Sequence, residues 1–471
     1  MFIARAALSA LFSFSACFAG SQALAADWSE QDLATAAALR DRALAGTQAF
    51  QHVESLVTEV GPRFAGSEGD AAAVRWALER LGKLGFTNVR SQDVLVPRWI
   101  RGEAELTVLG TSPIALVGVS LGGSIGTSEE GIEGAVLRVE SLDELHKLPA
   151  NATANRIVFI DHRMERSQAG SAYSQVVRGR VLGPSAAAKL GAIALVIRSV
   201  GTSDDRIAHT GTLRYDIDAP RIPAFALANP DADLLARRVS AEKQVRLRLK
   251  STARELPPAW SANVIGEIPG RERAQEIVLL GAHLDSWDVG HGALDDGAGV
   301  AIVVEAARLI SRLDRKPART IRVVLFANEE FGLSGAREYA KQLGDEVDRH
   351  VLAMEADVGQ GPVWRIRSKV APDALPAIAA MHSVLQPINI ERGDNEASGG
   401  ADVDPLRALG VPILDLSLDA SLYFDVHHTE NDTLLKVDPK ILDQSVAAFA
   451  VAAYLAATKQ EDFGRLSAAG E

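Results

Sequence analysis

The chain has 471 residues, 47% of them hydrophobic, and a formal net charge of −12. This is enough apolar content for a large buried core and enough length for more than one domain-sized unit. The acidic balance, with no cluster of Lys and Arg on any segment, argues against a phosphate-backbone partner, so no nucleic acid is expected.

The N-terminus has the pattern of an export signal: Arg5, an apolar run from Ala6 to Phe18, and Ala23-Leu-Ala25 before Ala26-Asp27. The run is too short to span a bilayer, so residues 1–25 are expected to be removed and the mature chain to be secreted or periplasmic, without a transmembrane span. The sole cysteine, Cys17, lies inside this segment. Disulfides and thiolate catalysis therefore drop out, and lipid anchoring through Phe14-Ser-Ala-Cys17 is the less favoured alternative.

From Gln31 to Val60 the pattern predicts two alanine-rich helices. After the loop Gly61-Pro-Arg-Phe-Ala-Gly66, apolar residues at Ala73, Val74, Ala77, Leu78 and Leu81 recur at helical spacing. Residues 88–97 read as extended. Residues 100–253 form a mixed region with strands expected at Ala115–Val119, Arg156–Ile160, Ile193–Ile197 and Ile222–Leu227 and a helix over Gly183–Leu190. Its histidines, His146, His162 and His209, are scattered and suggest no metal site.

Beyond Ala262 strands and helices alternate: strands at Ile277–Leu280, Ile321–Ala327, Val351–Ala356 and Pro412–Leu418, helices over Ala298–Leu313 and Ser334–Leu343. Apolar strands separated by helices imply an α/β fold, a mixed but mostly parallel central sheet covered on both faces. In such sheets sites form where loops leave the carboxyl ends of strands. His283 follows one strand, Glu329 and Glu330 a second, and Asp357 a third.

These positions, together with Asp295 and His428, offer imidazole nitrogen and carboxylate oxygen, the donors zinc takes in catalytic sites. If Asp295 bridges, one ion takes His283, Asp295 and Asp357 and the other Asp295, Glu330 and His428. Glu329 is left free to act as general base on a bridging water. Without cations so many carboxylates in one pocket would repel. Asp285, two residues beyond His283 on an extended segment, is placed to accept the second imidazole N–H.

The runs His283-Leu-Asp-Ser-Trp-Asp-Val-Gly290, Asn328-Glu-Glu-Phe-Gly-Leu-Ser-Gly-Ala336, Met354-Glu-Ala-Asp357 and His427-His-Thr-Glu-Asn-Asp-Thr433 resemble the co-catalytic di-zinc exopeptidase family of bacterial leucyl aminopeptidases and glutamate carboxypeptidases, most closely its plasma glutamate carboxypeptidase branch. The likeness covers residues 255–460, the Gly61–Gly66 loop resembles the opening of that catalytic domain, and residues 100–252 resemble its protease-associated insertion. It implies a discontinuous catalytic domain over 27–99 and 254–460, a β-rich insertion over 100–253 and a tail over 461–471. It also implies two Zn²⁺ per chain on His283, Asp295, Glu330, Asp357 and His428, with Glu329 as base, Asp285 behind His283, a short peptide as substrate, and a homodimer by analogy.

Several relatives carry a tyrosine where this chain has His427, which leaves His427 or Tyr423 to stabilise the oxyanion. Ser398-Gly-Gly-Ala-Asp402 resembles a substrate-side loop, and Asp288 and His291 are expected near the site entrance. Glu396 or Asp404 would suit a substrate amine and Arg392 or Arg407 a carboxylate, without a choice between them. Asn-x-Thr triplets start at Asn151 and Asn431; a sugar on the second would block the site. A single-zinc glutaminyl cyclase and a non-catalytic binding module are the alternatives on the same architecture.

Overall fold

The computed structural model describes residues 27–467, so the expected export signal and Cys17 lie outside the described residues. Two eight-stranded sheets organise the described residues. The first has the order Thr87–Ile100, Arg254–Ile268, Arg319–Phe326, Arg273–His283, His350–Glu355, Ile413–Leu418, Val363–Lys369, Glu391–Arg392. Its four central strands, from Arg319–Phe326 to Ile413–Leu418, run parallel, and antiparallel pairings flank them. The fold is the expected mixed α/β sheet with helices on both faces.

Its central strands are apolar on both faces because both are covered. Ile277 to Leu280 are fully buried, and so is every residue of Arg319–Phe326. Helix Gly297–Ser311 is apolar nearly all round and sits inside the core, between the sheet and the helices Ala49–Glu59 and Pro439–Thr458. The last of these is long and apolar enough to cross a membrane by composition, yet its side chains from Ser445 to Ala457 are buried in the protein core. Residues 461–467 are docked: Phe463 is fully buried and its carbonyl accepts the Ala371 N–H at 3.0 Å.

The second sheet is built wholly from residues 104–251 and carries helices Leu142–His146, Tyr173–Lys189 and Asn229–Ala241. The expected strand over 115–119 is two short strands, Ile114–Leu116 and Gly118–Ser120, because Val117 leaves the ladder there to accept from Ala228 N–H. The expected helix over 183–190 is the second half of Tyr173–Lys189. Its first half carries Arg178 and Arg180 between glycines and lacks a clear apolar stripe, so periodicity alone does not reveal it.

One buried charge network anchors the core helix. Glu305 accepts from the Arg308 guanidinium at 2.6 and 2.7 Å, from the Gln48 N–H at 3.0 Å and from His52 Nε2 at 3.3 Å; Arg80 donates to His52 Nδ1 at 3.1 Å. Burial lowers the pKa of His52, so it is neutral and donates through Nε2. Burial alone would raise the Glu305 carboxyl, but the donors from Arg308, His52 and Gln48 outweigh it and hold it at about 2. Because this lies below the unfolded value of 4.5, the stabilisation is complete above that pH and is lost as pH falls toward 2. Glu305→Gln is expected to lower the unfolding free energy by about 3–5 kcal/mol at pH 7. Denaturant titrations should show that deficit shrinking between pH 4.5 and 2, and a pH-independent deficit would rule out the ion network as its cause.

Candidate metal centre

Strand order brings the sequence motifs together. His283 ends its strand opposite Phe326, and Gly281 of the same strand faces Glu355. The loops carrying Glu329 and Glu330 on one side, and Asp357 on the other, therefore leave the sheet next to His283. Asp295 and Asp296 precede helix Gly297–Ser311. Asp296 is the N-cap, accepting from Gly299 N–H, and its other oxygen accepts the His283 N–H, both at 3.0 Å. The Asp295–Asp296 peptide is cis. His428 comes from the loop after Ile413–Leu418 and has a left-handed backbone, φ 60°.

The six side chains converge. His283 Nε2 lies 3.2 Å from Asp295 Oδ1 and 3.2 Å from Asp357 Oδ1, while His428 Nε2 lies 3.4 Å from Asp295 Oδ2 and 3.0 Å from Glu330 Oε2. The two oxygens of Asp295 thus face different histidines. Glu329, beside them, has no hydrogen bond to its carboxylate among the described residues. At His283 Nδ1 the nearer acceptor is the backbone carbonyl of Asp285, 3.1 Å away; the Asp285 carboxylate is 3.7 Å off and instead accepts the Glu329 N–H at 3.0 Å. Asp285 therefore fixes the His283 tautomer through its main chain and the Glu329 turn through its side chain.

Neighbours to which the sequence alone gives no role hold this set. The fully buried Arg63, in the Gly61–Gly66 loop, donates to the carbonyls of Leu284, His291 and Gly292 at 2.5, 2.8 and 2.8 Å, fixing the segment between His283 and Asp295. Asp432 accepts the N–H groups of Leu294 and Asp295 at 2.6 and 3.0 Å. The His428 loop is clamped from the second sheet. His428 Nδ1 points at the Thr210 carbonyl at 3.3 Å, which leaves Nε2 as the lone pair aimed at Asp295 and Glu330. Thr210 N–H returns a bond to the His428 carbonyl at 3.0 Å, His209 Nδ1 donates to the His427 carbonyl at 2.7 Å, and Arg166 and Thr202 hold Asp425 at 2.6 and 2.8 Å. Arg180, also from that region, lies against His428 and donates to Tyr173 Oη at 3.1 Å.

Both candidate oxyanion donors are at the site. His427 stacks on His428 with ring centres 3.5 Å apart, its Nε2 4.0 Å from Asp295, and Tyr423 packs 5.0 Å from the His427 ring. Tyr173 adds a second hydroxyl, its ring edge-on to His427 at 5.4 Å. Asp288 does not reach the centre; it pairs with Arg101 on the other sheet's side. His291 is exposed. Glu396 pairs with Lys369 at 2.6 Å and Asp404 with Arg407 at 3.0 Å, so three of the proposed substrate-end residues have partners already.

The electrostatics fit a cation-binding pocket. Asp295 Oδ2, Glu330 Oε1 and Asp285 Oδ2 are buried without any hydrogen-bond partner. Burial, then the neighbouring carboxylates, pushes Glu329, Glu330, Asp296 and Asp402 well above the ordinary carboxylate range, Glu355 to about 8 and Asp432 to about 7. His283, despite burial, is pulled upward by Asp357, Asp285 and Asp295, so that an incoming cation would displace its proton. The donors are nitrogen and oxygen with no thiol, a set suited to zinc.

The Peptidase family M28 model matches residues 263–453. Rat carboxypeptidase Q is 36% identical over 416 residues, covering 88% of this chain and 86% of the rat protein, and the mouse protein is 34% identical with the same coverage. The chain belongs to peptidase family M28. The M28 family likeness extends to solved structures: a peptidase M28 precursor from Shewanella amazonensis superposes with a TM-score of 0.91 at 45% identity, covering 93% of this chain and 99% of that one. A zinc aminopeptidase from Bacillus subtilis shares the M28 fold at 20% identity, with a TM-score of 0.64 over 89% of this chain and 97% of that one.

Metal removal gives a signed test. Groups whose folded pKa is raised stabilise the protein below their unfolded values, and that contribution fades as pH rises through the folded ones. Above pH 6.5, past the range of the down-shifted His427 and His428, only raised groups remain, with Asp432 and Glu355 titrating at about 7 and 8. The chelator-stripped protein is therefore expected to melt at a lower Tm at pH 8.5 than at pH 6.5, with the metal-loaded protein showing the smaller change. A stripped Tm that is flat or rises with pH would contradict it.

Proposed function

We propose that the chain is an exported, zinc-dependent exopeptidase that binds two zinc ions and hydrolyses short peptides near a free terminus, acting as an aminopeptidase, carboxypeptidase or dipeptidase. The observation that carries this reading is the orientation of Asp295, whose two carboxylate oxygens each face a different histidine, 3.2 Å from His283 and 3.4 Å from His428. A carboxylate so placed suits a bridge between two cations. His283 and Asp357 complete one donor set, Glu330 and His428 the other. Export rests on the leader over 1–25, and residues 100–253 are read as a protease-associated-like insertion in a catalytic domain over 27–99 and 254–460.

Zinc bound there would polarise the scissile carbonyl and acidify an attacking water. The chain's own part is proton traffic and placement. Glu329 Oε takes the proton of the water that attacks the carbonyl carbon and delivers it to the nitrogen of the leaving amine. Its carboxyl is raised above the ordinary carboxylate range, first by burial and then by Asp357, which strengthens it as a proton acceptor. The Asp285 carboxylate, bonded to the Glu329 N–H, holds the turn that carries the base. Tyr423, His427 and Tyr173 pack together beside His428, and their hydroxyl and imidazole groups are the candidate donors to an oxyanion.

Glu329→Gln keeps the shape of the turn and removes the base. The variant is expected to retain wild-type zinc content while kcat on a dipeptide substrate falls about 10²–10⁴-fold. Zinc retention alongside unchanged kcat would exclude Glu329 as the base.

A further inference from the structure

Helix Tyr173–Lys189 belongs to the second sheet, yet its first turn reaches the candidate metal centre. Tyr173 and Arg180 stand about two helical turns apart and so share one face of it. Tyr173 stacks on Phe424 with ring centres 5.1 Å apart and meets the His427 ring edge-on. Its oxygen accepts a hydrogen bond from the Arg180 guanidinium at 3.1 Å. Another nitrogen of the same guanidinium lies 3.4 Å from the Thr210 carbonyl and 3.5 Å from His428 Nδ1. The Thr210–Gly211 turn closes over it so tightly that a Cβ on Gly211, whose φ is +136°, would collide with that nitrogen.

Arg180 is 4% exposed, makes no ion pair among the described residues, and has an Nε buried without any acceptor. An unpaired buried cation is costly, and here the surrounding carboxylates offset that cost only at a distance. Its one side-chain oxygen acceptor is Tyr173. Because the phenol oxygen takes a charged donor, its own proton must point elsewhere, and the bond to a cation polarises the O–H and makes it the stronger donor. Burial raises the Tyr173 phenol above its ordinary range, so it keeps that proton, and the charges that act on it are those of Arg180, Glu329 and Glu330.

The other two candidates lack this backing. The nearest acceptor to His427 Nε2 is Asp295, at 4.0 Å, which competes for its proton. The charges acting on the Tyr423 hydroxyl are all carboxylates, Asp295, Asp357, Glu330 and Asp296, and among the described residues its oxygen accepts no hydrogen bond. We propose that Tyr173 donates the hydrogen bond that stabilises the oxyanion formed on the scissile carbonyl, and that Arg180 positions and polarises it. The inference rests on the peptidase reading above and deepens it: a catalytic group comes from the region of the second sheet. Tyr173 lends its proton and keeps it, so no bond to it forms or breaks. Arg180 touches no reacting atom and acts through Tyr173.

The test uses the zinc-loaded protein with Ala-Leu as substrate and, for calorimetry, the phosphinic analogue of Ala-Leu, whose tetrahedral phosphinate stands in for the oxyanion. Tyr173→Phe removes one oxygen and keeps the ring on Phe424. It is expected to retain wild-type zinc content and a KM within about threefold, while kcat and phosphinate affinity both fall about 10²–10³-fold and binding of free leucine is unchanged. Tyr423→Phe should cost less. Arg180→Gln should lower kcat about 10-fold, the scale of one hydrogen bond, Arg180→Lys should restore part of it, and the double variant Arg180→Gln/Tyr173→Phe should be no slower than Tyr173→Phe alone. If Arg180→Gln does not fold, Arg180→Lys takes its place in that cycle. The proposal is overturned by unchanged phosphinate affinity in Tyr173→Phe, by loss of zinc in that variant, by a greater loss in Tyr423→Phe, or by additive losses in the double variant. Should wild type hydrolyse no dipeptide, the peptidase reading fails separately. The phosphinate titration then decides the donor: weakening in Tyr173→Phe supports it, and equal affinities or no binding to wild type end it.

Discussion

Mutual repulsion among buried carboxylates is the constraint on which the rest of the molecule depends. Asp285, Asp295, Asp296, Glu330, Glu355, Asp402 and Asp432 are buried around one point, and Glu329 and Asp357 stand only partly exposed beside them. No chain tolerates such a concentration as bare anions in a low-dielectric interior, so the protein must supply either protons or cations. Backbone N–H groups neutralise part of it, as at Asp432 and Glu355. What they leave over, among the described residues, are Asp295 Oδ2, without a hydrogen bond and 3.4 Å from His428 Nε2, and Glu330 Oε1, whose sister oxygen lies 3.0 Å from the same imidazole. The apolar architecture around the pocket is rigid enough to hold that arrangement against its own charge.

Rigidity comes from two directions. Parallel strands buried on both faces end side by side and fix His283, the Glu329–Glu330 turn and Asp357 relative to one another, while the buried helix Gly297–Ser311 fixes Asp295 through its N-cap. His428 has no such strand beneath it. Its loop is held instead from residues 100–253, through Thr210, His209, Thr202 and Arg166. Half of the candidate centre is therefore positioned by the first sheet and half by contacts with residues of the second sheet's region. The aromatic cluster of Phe64, Trp99, Trp287 and Phe331, with Arg101 over two of its rings, fills the junction between them.

The parts legible in the sequence are those in which chemistry and periodicity coincide. Ile277 to Leu280 reads as a buried strand because all four residues are apolar, and the histidine just past it acquires a place in space from that fact alone. Asp295 and His428 stand out in the sequence through the motifs that contain them. The supports are not legible, because most of them join residues far apart in the chain, as Thr210 with His428, and use main-chain atoms that no residue type announces. Asp285 illustrates the limit: its type suggests a carboxylate behind His283, whereas its carbonyl takes that position and its carboxylate serves Glu329.

Anomalous diffraction at the zinc edge from crystals of the zinc-loaded protein tests the central claim most directly. The expected result is two strong peaks about 3.5–4 Å apart, one on each side of Asp295, the first within bonding distance of His283 and Asp357 and the second of Glu330 and His428. A single peak, or peaks that leave Asp295 bound on one side only, would contradict it.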